Sequence, residues 1–236
     1  MKKINLEIKS VCNLSRRPIA IANNPIKLAA VNYIERSLKS NNFVDSTSSI
    51  EKILTDYYDS LSYKTLNDLF GTEIKKLDAY QYHNIFLPWY HTSPVLKFKD
   101  FAFIKNISKD DISKKSLKIL KLIQSIKKEG YVPEEYKDRK KGHITGYHLE
   151  DANANKKFYV VSGNHRISIL SALDYKQVSV LNESTSFFKE RDRLNFNYKE
   201  LPNVFSEKNV ENWPSVQSGF LQKKDAIEIL RKFTEV

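Results

Sequence analysis

One short unit constrains this chain more than any other. Phe158-Tyr159-Val160-Val161 reads as a strand that runs straight into Ser162-Gly163-Asn164-His165-Arg166. A compact helix follows from about His165 to Leu173, and Gln177-Val178-Ser179-Val180-Leu181 reads as a returning strand. Only 6 glycines occur in 236 residues, so a Gly at a strand-to-helix junction has a conformational purpose. The first N–H groups of a helix lack internal partners and carry partial positive charge. A Gly beside them admits an anion to the backbone, and His165 and Arg166 add side-chain donors, Arg with two bonds at once. The unit therefore predicts an anion site, with phosphate as the anion. The competing reading is structural: Arg166 pairs with a neighbouring carboxylate, and His165 is a satisfied, half-buried histidine.

Around this unit the chain reads as α+β. Residues 1–95 are expected to be a helical extension. Asn24-Pro25 looks like a cap followed by Pro at the first helical position, and Ile26, Ala29, Ala30, Tyr33 and Ile34 fall on one helix face. A second helix opens at Ser48 with Glu51 as its capping-box partner. A short helical turn from Thr65 to Phe70 ends at Gly71, and an aromatic stretch, Phe86-Leu87-Pro88-Trp89-Tyr90-His91, follows. Residues 96–185 form the core. They hold a short strand at Phe101–Ile104, a helix from about Ser113 to Lys128 stopping at Gly130, and a strand from His143 to Leu149. Residues 186–236 are a C-terminal tail with Trp213-Pro214-Ser215 and a last helix that presents Ala226, Ile229, Leu230 and Phe233 on one face.

Composition narrows the function. The apolar fraction of 41% suits a packed domain, and no run approaches the roughly 20 apolar residues of a membrane helix. MKKINLEIKS has no apolar run behind its lysines, so it is not a secretory signal, and a cytoplasmic protein is expected. The single cysteine, Cys12, excludes an internal disulfide and a cysteine-based zinc site. The net charge of +11 invites a nucleic-acid reading, but 31 of the 39 basic residues are Lys and only 8 are Arg. Arg is the side chain suited to bidentate recognition, so DNA is the weaker expectation. The surplus is uneven: +3 on residues 1–95, +7 on 96–185 and +1 on 186–236. The positive excess sits on the segment that contains the anion loop.

The run from Val160 through Leu173, with Val178-Ser179-Val180 behind it, resembles the ParB/sulfiredoxin superfamily. The helix from Leu117 to Gly130, with Ser125-Ile126-Lys127-Lys128-Glu129-Gly130, is similar to that superfamily's Ser-Ile-x-x-x-Gly helix. The resemblance covers residues 96–185 and implies a mixed-sheet core with helical extensions at both ends. It implies that Ser162, Gly163, Asn164, His165, Arg166 and Ser168 bind the phosphates of a nucleotide, ATP or CTP, with Mg²⁺ as counter-ion. Two departures stand out. The usual Asp before the Gly is Ser162, and the position that carries the catalytic Cys in sulfiredoxin is Asn164, so sulfinic-acid reduction is not expected. The aromatic stretch, Gly142 to Tyr147 and Trp213-Pro214-Ser215 look like an extended group linked to surface-polysaccharide gene clusters.

The reading that follows is a nucleotide-dependent kinase acting on a small hydroxyl compound, such as a sugar. Its alternative is a non-catalytic ParB-like protein that binds nucleotide or DNA. Phosphoryl transfer needs charge neutralisation, positioning and a base. His165 is one catalytic candidate. Asp110 and Asp111 are the carboxylate candidates, with helix capping as the competing role; Glu150 and Asp151 are further alternatives. His143 either points into the cleft or faces water from an edge strand, and with His148 it makes no shared metal site. His83 and His91 are expected to pack in the aromatic stretch. Lys140-Lys141 and Lys156-Lys157 flank the strands that bracket the loop and can steer an anionic substrate.

Overall fold

The computed structural model describes residues 2–13, 24–39, 46–82, 84, 86–94, 107–133, 142–182 and 204–235. The expected Phe101–Ile104 strand, His83, Lys140 and Lys141 lie outside these residues. Its strands are β1 (Lys2–Glu7), β2 (Val11–Cys12), β3 (Ile144–Glu150), β4 (Lys156–Ser162), β5 (Gln177–Asn182) and β6 (Val204–Ser206). Its α-helices are α1 (Pro25–Lys39), α2 (Ser46–Asp59), α3 (Leu66–Phe70), α4 (Lys109–Glu129), α5 (Asn164–Ala172), α6 (Pro214–Gln217) and α7 (Lys223–Thr234).

The strands make one mixed, open sheet in the order β1-β5-β3-β4-β2. β3 is antiparallel to β4 and parallel to β5, which it meets only over Ile144–Gly146. Beyond the end of β5, the short β6 takes over the same edge of β3 at His148–Glu150. β1 and β2 finish the two sides of the sheet, antiparallel to β5 and parallel to β4 respectively.

Strand alternation sends successive side chains to opposite faces and so builds two cores. Ile144, Phe158, Val160, Val178 and Val180 face a layer made by α1, α2, α4 and α5. Tyr147, Leu149, Tyr159 and Phe205 face the aromatic stretch, α3 and α7. In that second core Trp89 and Trp213 are fully buried, with their rings edge to face at 5.6 Å. Burying each large apolar side chain stabilises by about 1.5–3 kcal/mol, and the polar tips must find partners. They do: Trp89 Nε1 donates to Tyr147 Oη at 2.8 Å, and Trp213 Nε1 donates to Asn209 Oδ1 at 2.9 Å. The face of α7 expected from its spacing is the buried one, since Ala226, Ile229, Leu230 and Phe233 are all fully covered.

Three expectations need correction. Residues 2–12 are not α-helical: they form β1, a 3-10 turn at Ile8–Ser10 and β2, and in β1 Ile4 and Leu6 alternate with Lys3, Asn5 and Glu7. The 186–236 tail likewise contributes a strand, β6, to the sheet. The second helix begins at Ser46, so Ser48 and Glu51 lie inside α2 and are not its cap. The Asn24 cap holds: its Oδ1 accepts from the N–H groups of Ile26 and Lys27 at 3.0 and 3.1 Å. Among the described residues, no helix is long and apolar enough to cross a membrane.

Tyr147→Phe removes the acceptor of a buried indole N–H while keeping the ring packing. It should destabilise the chain by about 1–3 kcal/mol, read as a lower urea midpoint with an unchanged slope.

Candidate functional site

The site begins at Gly163, which caps α5 with φ 93° and ψ 17° and no side-chain cap. A Cβ on Gly163 would lie 2.8 Å from Ile144 Cγ1 and 3.0 Å from Ile144 Cα. Two constraints therefore select glycine here, a left-handed backbone and a close approach to β3. The space a side chain would take is filled by Ile144, so β3 requires the glycine independently of any ligand. What the turn accomplishes is to clamp the start of α5 on the sheet. The first helical bond runs from Ile167 N–H to Gly163 C=O at 3.0 Å. The N–H groups of Asn164, His165 and Arg166 thus precede the hydrogen-bond ladder, where the positive end of the helix lies.

His165 stays exposed at this end. Its pKa is nevertheless pushed down to about 4, by crowding from protein atoms first and then by the positive charges of Lys115, Arg166 and Lys118. At neutral pH the ring is uncharged and keeps one N–H donor and one acceptor nitrogen. Lys115 is steadied by Tyr58, whose Oη accepts from Nζ at 3.3 Å and whose ring centroid lies 5.4 Å from it. Arg166 lines a cavity of about 220 Å³ with Leu122, Ser125, Ile126, Glu129, Gly130, Tyr131 and Val132. Asn164 is half-buried, and its Oδ1 is buried without a hydrogen-bond partner. Ser162 ends β4, paired with Thr145 next to the turn.

The structure does not bring every expected residue to this place. Ser168 is fully buried. Its hydroxyl accepts from Asn24 Nδ2 at 3.1 Å and donates to the Asn164 carbonyl at 2.8 Å, which ties α1 to α5 and leaves it unavailable to a ligand. Asp110 and Asp111 are exposed in the first turn of α4. Ser108 Oγ accepts from the Asp111 N–H at 3.1 Å and donates to Asp111 Oδ2 at 2.8 Å, so Ser108 is the cap and the Asp111 carboxylate is engaged with it. Glu150 and Asp151 sit at the far end of β3 from Ile144, about 20 Å along the strand. The Asp151 carboxylate is filled by donors from Asn153, Asn155 and Thr234, and Glu150 is paired with Lys156 at 3.6 Å. Glu150, Asp151 and Lys156 therefore belong to the opposite end of the sheet.

Of the histidines, His143 is buried just before β3, so it does not face water. His148 packs its ring on Phe158 at 5.3 Å, and burial together with Lys156 lowers its pKa to about 4 against the opposing pull of Glu150. His91 is buried in the aromatic core, where its Nδ1 accepts from the Leu87 N–H at 2.9 Å.

Lys115, Lys118 and Glu129 are the site residues that sequence reasoning missed. They share one face of α4 with Asp111, Leu122 and Ser125 at i, i+4, i+7 spacing, a polar stripe beside the apolar one. The donor set around His165 is cationic and suits an anion. Among the described residues no group of three or more His, Cys, Asp or Glu side chains is placed to hold a metal ion. No family model, curated protein or solved structure matches the chain.

Three histidines with depressed pKa values set an acid limit. The unfolded chain, with His near 6.5, binds protons that the folded chain refuses down to about pH 4. The histidines' contribution to stability is complete above about pH 6.5 and is lost as pH drops toward 4. Thermal midpoints measured across this window should decline steadily, and less steeply in His165→Asn.

Proposed function

We propose that this chain is a nucleotide-binding phosphotransferase acting on a small hydroxyl-bearing compound, with a ParB/sulfiredoxin-like core over residues 96–185. One observation carries the reading. α5 starts on a left-handed glycine without a side-chain cap, with Lys115, Lys118, Arg166 and an exposed neutral imidazole around that start. Helix N–H groups and fixed cations in one place are what a phosphate chain requires. The strand, glycine turn, helix and parallel return to β3 also fit the superfamily that the sequence resembles. In this reading Gly163, Asn164, His165 and Arg166 hold the phosphates of ATP or CTP. Mg²⁺ bound to the nucleotide would supply neutralising charge to the phosphate oxygens. The residues of this chain bind and orient the phosphates, and His165 supplies a hydrogen bond at pH 7 without adding charge.

A second reading has its own support. The two carboxylates nearest the start of α4 act as helix-start residues, which leaves the phosphate loop without an evident base. A non-catalytic ParB-like protein that uses the same loop for a nucleotide, or for the DNA backbone, needs no base.

Calorimetric titration with ATP, CTP and a DNA duplex separates the two. The kinase reading expects nucleotide binding in wild type and at least a tenfold loss in Arg166→Ala, about 1.4 kcal/mol. DNA binding with steep salt dependence and no nucleotide binding would overturn it. Nucleotide binding that ignores Arg166→Ala would move the site elsewhere.

A further inference from the structure

The cavity beside the loop has a chemistry of its own. It lies between the last two turns of α4 and the first turn of α5, and its polar lining is of opposite sign at its two sides. Arg166 comes from α5. Glu129 closes α4, with Ser125 Oγ donating to its Oε2 at 3.2 Å. Leu122, Ile126 and Val132 form the apolar wall, and a Cβ on Gly130 would meet nothing within 4 Å. The space is about 220 Å³ and is open to solvent on one side, room for a small polar molecule. A ligand here must put an anionic group against the guanidinium and hydrogen-bond donors against the carboxylate and hydroxyl. A phosphate cannot turn round, because Glu129 and the carbonyl end of α4 repel it.

We propose that this cavity is the subsite for the small hydroxyl compound, binding its phosphorylated form as a short polyol phosphate with the phosphate toward Arg166 and the hydroxyls toward Glu129 and Ser125. The inference rests on the phosphate-loop reading above and extends it. It gives Glu129 and Ser125 the hydroxyls that do not carry the phosphate, and it assigns no base.

The test compares inorganic phosphate, glycerol, glycerol 3-phosphate and ATP on the full chain by titration calorimetry, with Glu129→Gln and Ser125→Ala beside wild type. Neither side chain is buried, so both variants should keep the wild-type melting curve, which is recorded first. The subsite predicts that glycerol 3-phosphate binds about tenfold more tightly than inorganic phosphate. Both substitutions should erase that advantage while inorganic phosphate and ATP bind as before. If glycerol 3-phosphate binds no better than inorganic phosphate, or its advantage survives both substitutions, the subsite is wrong and the loop stands. If neither inorganic phosphate nor ATP binds, the loop reading fails and the subsite fails with it.

Discussion

The contact of Gly163 with Ile144 determines where everything else in the site can be. A backbone at φ 93° turns the chain out of β4, and the absence of a Cβ lets that turn lie against β3. Any other residue would have to displace Ile144, which is fully buried in the core under α1, α2, α4 and α5. Once α5 is pinned there, its first turn is fixed against α4. His165 then falls beside Lys115 and Lys118, and Arg166 falls over the cavity at the end of α4. A rigid strand and a packed helix supply the precision, which suits a site that must hold an ionic ligand.

The supporting structure is uneven in character. The face of the sheet behind the site is mostly aliphatic, formed by Ile144, Val160, Val178 and Val180 with Phe158 among them. The other face is crowded with rings, from Trp89, Tyr90, Tyr147, Tyr159, Phe205, Trp213 and Phe233. That second core joins residues far apart in sequence: the aromatic stretch, the middle strands and the last helix. Thr234 reaches back to Asp151 at the β3–β4 turn, and Arg231 forms a bidentate pair with Glu207. The C-terminal elements thus brace the sheet from the side away from α5.

Much of this was legible in the residues, for reasons that can be named. α1, α4 and α7 show long stripes of apolar spacing, and Asn24 is a cap whose side chain does bond the first turn. β3, β4 and β5 are β-branched and aromatic runs ended by turn residues. β1 was missed because Lys3-Ile4-Asn5-Leu6-Glu7 puts only two apolar groups on its inner face, and β6 because three residues carry no period. Within the site, the loop at Gly163–Arg166 was visible because glycine is scarce. Ser168 was misread because a hydroxyl in a helix gives no sign of whether it meets a ligand or, as here, an Asn from another helix. Lys115, Lys118 and Glu129 were hidden because their meaning comes from which face of α4 meets α5, a tertiary fact.

The central claim is that phosphate is held at the first turn of α5. Backbone amide shifts of the isotopically labelled chain, followed during titration with inorganic phosphate and then ATP, test it most directly. The account predicts saturating changes centred on Asn164, His165 and Arg166, with smaller ones at Lys115 and Lys118. Saturating changes confined to other parts of the chain, or none at these residues, would contradict it.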